Sequence, residues 1–283
     1  MNPPAPHSKR WHAAIEAAGF HRARNGHGFC HNGTSLTCDD RWLTLRTLRG
    51  ATAETLLNGL GNPGLWKTVA LNGGQRVGRE FHLPMTVLDS VRGNADADDQ
   101  EGDNPFEACV RWAQTTVARE RPRDWTSPPP HQIDTWVQPA DLVVQSGSLL
   151  TQGKVVHTPD QLAISFPVVN ELPAGLSAAR RDWLRGVLAD AANRWRMVRV
   201  GCNDSQPPAV AVEVDFSGAP AAVLADLVKA GLDAVRLVTL SILWPVVLLC
   251  DLNVPSRMWD EPATAAPGRR KETENEHDPR SRQ

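Results

Sequence analysis

The chain has 283 residues, of which 41 % are hydrophobic and 22 % charged, and its formal net charge is −2. This length suits two ordinary domains, and the composition is that of a soluble globular protein. The near-neutral charge gives no electrostatic basis for binding nucleic acid or anionic lipid. Residues 1–10 lack the apolar core of a secretory signal, and the five cysteines are an odd, scattered set. The sequence therefore predicts a cytoplasmic protein with reduced thiols.

The first half of the chain mixes strand and helix patterns. Residues 42–48 alternate polar and apolar side chains with the period of a strand, and Asn72-Gly73-Gly74 is a strong hairpin signal. In chain order, the predicted elements are a helix at residues 11–20, strands within 20–50, a helix at 52–60, strands at 66–71 and 75–83, and a helix at 106–121.

Two segments of the first half are predicted to lie outside its core. Residues 94–104 carry five acidic side chains and no basic one, which predicts a solvated acidic insert. They do not match a calcium-binding EF-hand loop, because Asp99 stands where that loop needs glycine and Pro105 where it needs glutamate. Residues 122–135 are rich in proline and predict a linker.

The second half contains the same kinds of element. Ser177 is placed to cap a helix, and Pro220 suits the first turn of another, in which Pro245 is expected to bend or end the helix. In chain order, the predicted elements are strands at residues 149–157 and 162–169, a helix at 177–195, strands at 196–201 and 209–216, a helix at 221–252, and a disordered tail at 256–283.

Residues 237–250 contain no charged side chain. A membrane span needs about 20 apolar residues, so a stretch of this length predicts a buried helix rather than a span. Asp233, Arg236 and Asp251 bound the stretch closely. Burial on most faces would require a partner surface, either the other domain or a second chain.

No familiar catalytic or cofactor motif stands in its required context. The string from Gly59 to Gly64 satisfies G-x-G-x-x-G, but a predicted helix precedes it and a strand follows, the reverse of a dinucleotide-binding site. A group of potential zinc ligands has no standard zinc-binding spacing; it comprises His21, His27, Cys30, His31 and Cys38. The sequence thus predicts no catalytic residues, no metal and no cofactor.

The second half also repeats the pattern of the first. Residues 66–71 and 78–84 correspond to residues 195–200 and 210–220, and upstream residues 39–45 correspond to 160–166. A repeat of this length indicates two copies of one domain rather than a solenoid. We therefore predict an α+β protein with two tandem helix–antiparallel sheet–helix domains, at residues 7–121 and 136–255.

The second copy resembles the type III secretion chaperone-like fold, including the YbjN-like bacterial proteins. The likeness lies in the strand at residues 195–200, the strand at 210–216 with Ser217-Gly218-Ala219-Pro220 after it, and the helix carrying Leu224 and Leu227. It covers residues 136–252 and, more weakly, 7–121. The resemblance implies a non-enzymatic binder that holds segments of other proteins on apolar surface. Two copies on one chain would form an intrachain pseudo-dimer, with a homodimer as the alternative.

The leading hypothesis is a cytoplasmic, chaperone- or adaptor-like module that binds another protein, but neither nucleic acid nor membrane. Its predicted contact residues are Trp244 and Leu248 on the apolar helix, and Trp42 and Ile164 on strands expected to lie at sheet edges, where they could accept an added strand. The alternative is an enzyme with a non-standard, metal-dependent site near Cys30 and Cys38.

Overall fold

A computed structural model describes residues 11–12, 15–24, 28–31, 34–51, 66–70, 77–89, 105–118, 125–203 and 209–254. They form a mixed α+β fold with three antiparallel sheets, so the predicted class is confirmed. The strands are β1 (His21–Arg22), β2 (Phe29–His31), β3 (Thr34–Cys38), β4 (Trp42–Ala51), β5 (Trp66–Ala70), β6 (Val77–Pro84), β7 (Val143–Ser146), β8 (Leu149–Gln152), β9 (Lys154–Thr158), β10 (Gln161–Val169), β11 (Arg199–Asn203) and β12 (Ala209–Asp215). The helices are α1 (Pro105–Ala118), α2 (Pro130–Trp136), α3 (Ala178–Arg194) and α4 (Ala221–Cys250).

The first sheet has six strands in the order β1-β2-β3-β4-β6-β5. The alternation along β4 puts Leu43 and Leu45 on one face, where they pair with Leu83 and Phe81 of β6 and are fully buried. Trp112 of α1 meets the Phe81 ring edge-on, at 4.8 Å between ring centroids. The apolar face of this sheet is therefore covered by α1.

The second sheet has four strands in the order β11-β12-β10-β9. Its central strand β10 is apolar almost throughout because both of its faces are buried. Helix α4 crosses this sheet closely: a Cβ atom on Gly231 would lie 2.6 Å from Cζ of Phe216. Strands β7 and β8 form a separate hairpin beside the helix.

The two larger sheets share a strand order. The series β3-β4-β6-β5 in the first sheet matches β9-β10-β12-β11 in the second, with antiparallel pairing throughout. The pairing of Leu43 with Leu83 has its counterpart in the pairing of Ile164 with Val214. Both central pairs thus bury apolar side chains at corresponding positions.

Two strand predictions differ from the structure for local reasons. The strand predicted at residues 149–157 is divided into β8 and β9 at Gly153, where a Cβ atom would lie 2.7 Å from the Phe166 ring. The strand predicted to begin at Trp195 begins at Arg199, because Met197 has a left-handed backbone with φ of 67°. Trp66 pairs with Phe81, and Val200 pairs with Val212 at the matching position of the second sheet. The residue that corresponds to Trp66 is therefore Val200 and not Trp195.

The segment predicted as a linker is packed where the structure describes it. Its residues 130–135 lie in α2, whose Ile133 is buried and which contacts α4. The indole Nε1 of Trp125 donates to the Ala219 carbonyl, and that of Trp112 donates to the Ser217 carbonyl. These bonds join the two halves of the chain. The predicted helix at residues 52–60, the acidic insert and the tail lie outside the described residues.

Candidate functional site

Helix α4 presents an apolar stripe to solvent along its second half. Leu237, Leu240, Trp244 and Leu248 follow one another at intervals of three and four residues, so they lie on one face. Each of these side chains is between 38 % and 53 % exposed. They are half of the eight large hydrophobic side chains that are exposed in the described part of the chain. Solvent-exposed apolar area is thus concentrated on this helix.

The same face is polar along the first half of the helix. Lys229 and Asp233 are exposed there, one to two turns before the stripe begins. The opposite side of α4 is buried against β10, β12 and α3 over the whole length of the helix. The helix thus has an ordinary amphipathic first half, and a second half whose exposed side carries no charge and is apolar except at Ser241.

The polar groups within the uncharged stretch are satisfied inside the helix. The hydroxyl of Thr239 donates to the Val235 carbonyl at 2.7 Å, and the Ser241 hydroxyl donates to the Val238 carbonyl at 2.7 Å. The helix continues past Pro245 to Cys250, so this proline does not end it. These internal bonds leave the stripe without a polar group that would need water or a ligand.

Trp244 lies at the centre of the stripe, next to the turn between β7 and β8. A Cβ atom on Gly147 would lie 3.5 Å from Cζ2 of Trp244, and Gly147 has a left-handed backbone with φ of 59°. The turn therefore approaches one edge of the indole ring closely, while the ring remains 41 % exposed. A tryptophan held in this way can act as a rigid contact residue.

Arg180, at the start of α3, holds the end of α4. This side chain is only 3 % exposed, and its guanidinium donates to the carbonyls of Leu249, Asp251 and Val254. A cation at a helix C-terminus satisfies carbonyls that have no partner within the helix. The predicted Ser177 cap is confirmed, since its hydroxyl accepts from the Arg180 backbone N–H at 3.2 Å.

The structure corrects the prediction of binding edges at Trp42 and Ile164. Strand β10 lies between β9 and β12, and Ile164 is 1 % exposed, so it cannot accept an added strand. Strand β4 likewise lies between β3 and β6. Sequence patterns identify strands, but the order of strands in a sheet is set by tertiary packing, which is why the edge assignments are wrong.

Trp42 instead takes part in a contact between the two halves of the chain. The guanidinium carbon of Arg196 lies 5.3 Å from the centroid of the Trp42 ring, a cation–π arrangement. Arg196 also donates to the Thr44 hydroxyl at 3.0 Å. The Trp42 side chain is partly buried.

The predicted cluster of cysteines and histidines is divided between the two faces of the first sheet. Cys30 pairs with His21 on one side and Ser35 on the other, and all three are exposed. His31 and Cys38 belong to the opposite face, with the buried Leu36 between them along the sheet. Since the partner of His31 is Thr34, four residues from Cys38 on β3, the two side chains are about 13 Å apart along the strand. His27 lies outside the described residues.

The chemistry of Cys38 does not favour a thiolate. Burial, together with the smaller effect of the carboxylates of Asp39, Asp40 and Asp89, raises the pKa of its thiol to about 11. Its Sγ lies 3.6 Å from Sδ of Met85, a contact between two weakly polar groups. Metal binding and nucleophilic catalysis both need the thiolate. Across the residues that can be described, no three His, Cys, Asp or Glu side chains form a group suited to a metal ion.

A buried ionic cluster on the second sheet escaped the sequence analysis. Arg199 of β11 contacts the Glu213 carboxylate of β12, and Asp215 lies 4.0 Å from the same guanidinium. Burial raises the pKa of Glu213 despite the lowering effect of Arg199. The only sequence signal is the acidic pair within the apolar strand at residues 210–216. Asp215 also accepts from the backbone N–H and hydroxyl of Ser217, so it helps fix the loop that contacts α1.

No family model matches the chain, and comparisons with curated proteins and with solved structures found no significant similarity. One helix within the described ranges, α4, is long and apolar enough to cross a membrane by length and composition. A core helix of a soluble protein passes the same test, and the side of α4 that packs on the second sheet is buried.

Proposed function

We propose that this chain is a non-enzymatic, cytoplasmic protein-binding module of the adaptor or chaperone type. Its contact surface is the apolar stripe of Leu237, Leu240, Trp244 and Leu248, and its partner is an apolar helix or extended segment of another protein. The observation that carries the proposal is the exposure of four large apolar side chains on one face of a helix whose polar groups are already satisfied.

The energetics favour such a role. Full burial of an exposed leucine-sized side chain contributes about 1.5–3 kcal/mol, and the stripe residues are already about half buried. Each would therefore contribute on the order of 1 kcal/mol to association. Trp244 lies at the centre, where residues that dominate binding energy are usually found. A surface of this size supports a reversible partner rather than a permanent one.

The proposed architecture is two tandem copies of one domain similar to the type III secretion chaperone-like and YbjN-like fold, forming a pseudo-dimer within the chain. The shared strand order of the two sheets supports the duplication. The bond from Trp112 to Ser217 and the stacking of Arg196 on Trp42 support contact between the copies. The proposal requires no metal and no cofactor.

The test is affinity capture of the full chain from its native cytoplasm, compared with two helix variants. Leu240→Glu places a charge in the stripe, while Lys229→Glu makes the same new side chain on the polar part of the same face. We expect a specific protein in stoichiometric amount with the wild type and Lys229→Glu, and at least tenfold less with Leu240→Glu. Circular dichroism checks that both variants are folded.

Equal capture by both variants would show that the stripe is not the binding surface. Absence of any captured protein, with a folded wild-type chain, would count against a protein-binding function.

A further inference from the structure

A turn follows α4 directly and fixes where the chain leaves the helix. The Asp251 carbonyl accepts from the Val254 N–H at 3.2 Å, which closes this turn. The guanidinium of Arg180 binds the carbonyl of Val254 as well as that of Leu249, so Val254 lies beside the last turn of the helix. Leu249 immediately follows the last residue of the stripe. Residues 255–283, here called the C-terminal segment, therefore begin at the C-terminal end of the stripe.

The C-terminal segment contains only two large apolar side chains, those of Met258 and Trp259. Its other residues are charged, polar or small, or are prolines, and its basic and acidic side chains are equal in number. Met258 and Trp259 are adjacent, and they come only four and five residues after Val254. The apolar area of the segment is thus concentrated near the point where it leaves the helix.

This short stretch of chain is long enough to bring both side chains onto the stripe. Five extended residues span about 17 Å. Trp244, in contrast, lies only about 8 Å from Leu249 along the helix axis. Met258 and Trp259 can therefore reach the part of the stripe between Trp244 and Leu248 when the chain runs back along α4.

The charges around the stripe are compatible with this occupant. Asp251 is exposed at the C-terminal end of the stripe, where Arg257 would arrive just before the two apolar residues. At the other end, Asp233 and Arg236 lie within one turn of each other and together favour neither sign. A suitable occupant thus has an apolar centre preceded by a basic residue, which is the order in the C-terminal segment.

We propose that the C-terminal segment folds back over the stripe when no partner is bound, with Met258 and Trp259 covering Trp244 and Leu248. This inference rests on the proposed function, because it names what regulates access to the same surface. A short flexible connection gives an effective concentration of about 1 mM, so a contact with an intrinsic affinity of about 0.1 mM leaves the stripe covered about ten times as often as open. A partner must displace the segment, which lowers its apparent affinity about tenfold.

The first measurement maps the contact in the full chain by photo-cross-linking. The photoreactive amino acid p-benzoylphenylalanine replaces Trp259 in one variant and Thr273 in the control. We expect the probe at position 259 to cross-link to residues 237–248 of the same chain, and the probe at position 273 not to do so. Absence of that product, or cross-links from position 259 that join two chains instead, would overturn the proposal.

The second measurement asks whether the C-terminal segment limits access to the stripe. The hydrophobic-surface dye bis-ANS is titrated into full-length Trp259→Glu, with Thr273→Glu as the matched control for the added charge. Trp259→Glu should bind the dye about tenfold more tightly than the wild type, and Thr273→Glu should bind it like the wild type. Adding Leu240→Glu to Trp259→Glu should remove the gain. An unchanged dye affinity in Trp259→Glu, or a gain that survives Leu240→Glu, would overturn the proposal.

Affinity capture with the same variants separates this inference from the proposed function. Trp259→Glu should capture the partner about tenfold more tightly than Thr273→Glu. An intramolecular cross-link from position 259 to the stripe, in a chain that captures no protein, would support this inference and count against the proposed function. Capture that depends on Leu240, without that cross-link, would overturn this inference and leave the proposed function intact.

Discussion

Helices α3 and α4 pack side by side on the second sheet, yet they present opposite kinds of surface to water. On α3, Arg185 pairs with Asp182 and Arg194 pairs with Asp190, each at 2.8 Å, and these side chains are well exposed. On the second half of α4, the exposed positions carry leucine and tryptophan, apart from Ser241. Two neighbouring helices thus expose different kinds of side chain: charged pairs on α3, and large apolar residues on the second half of α4.

The difference shows that the apolar stripe is a local property of one helix face and does not reflect the composition of the whole second half. Charged side chains on α3 keep that part of the surface soluble, and Lys229 and Asp233 do the same for the first half of α4. Of these two helices, the long stretch without charged side chains is the last four turns of α4. An uncovered apolar face of this length is typical of an interface.

The largest effect is expected from Arg180, the residue that connects the two helices. Arg180→Met keeps much of the side-chain volume but removes every hydrogen bond to the carbonyls of Leu249, Asp251 and Val254. Because bonds from a charged group contribute about 1.5–3 kcal/mol each, we expect the free energy of unfolding to fall by at least about 3 kcal/mol. Urea denaturation measures it. Arg181→Met is the matched control, since Arg181 is exposed, and it should change stability by less than about 0.5 kcal/mol.

Equal stability of the Arg180→Met and wild-type proteins would mean that α4 ends without help from α3.

A second pair of variants compares one glycine on each helix. Gly231→Ala on α4 forces a Cβ atom to within 2.6 Å of Phe216, so overpacking should lower the free energy of unfolding by about 1–3 kcal/mol. Gly186→Ala on α3 meets no atom within 4 Å and should raise it by about 0.5–1 kcal/mol through helix propensity. Thermal unfolding followed by circular dichroism measures both. Changes of the same sign would contradict the close approach of α4 to the sheet.

The smallest effect is expected for the exposed ion pairs of α3. Asp190→Ala removes a pair in which both side chains are more than half exposed, so the free energy of unfolding should change by no more than about 0.5 kcal/mol. The effect should disappear in 1 M salt because screening weakens exposed pairs. Denaturation at low and high salt makes the comparison. A loss above about 1 kcal/mol would indicate that α3 depends on these charges for folding rather than for solubility.

Local signals in the sequence were sufficient for most elements. The Ser177 cap, the helix that carries the uncharged stretch and the strands of both predicted hairpins follow from the preferences of a few neighbouring residues, and the structure contains them. The break of the strand at Gly153 was missed because it depends on the Phe166 ring, which approaches from another strand.

The candidate surface was only half predictable. Trp244 and Leu248 were identified, but Leu237 and Leu240 were not, although the spacing of three and four residues connects all four. In a stretch that is apolar on every side, periodicity cannot say which face receives a neighbour. Arg180 and Arg181 are likewise indistinguishable in sequence, and only tertiary packing makes one of them a helix cap.

The bonds from Arg180 to the end of α4 also determine how the stripe can be used. A helix terminus normally frays, so that a ligand binding there must first order it and loses affinity by the corresponding conformational entropy. Here the final turn is fastened to the start of α3, and the two segments should exchange their amide protons together rather than separately. Whatever binds the stripe therefore meets a helix end that is already ordered, and binding does not incur the entropic cost of ordering that final turn.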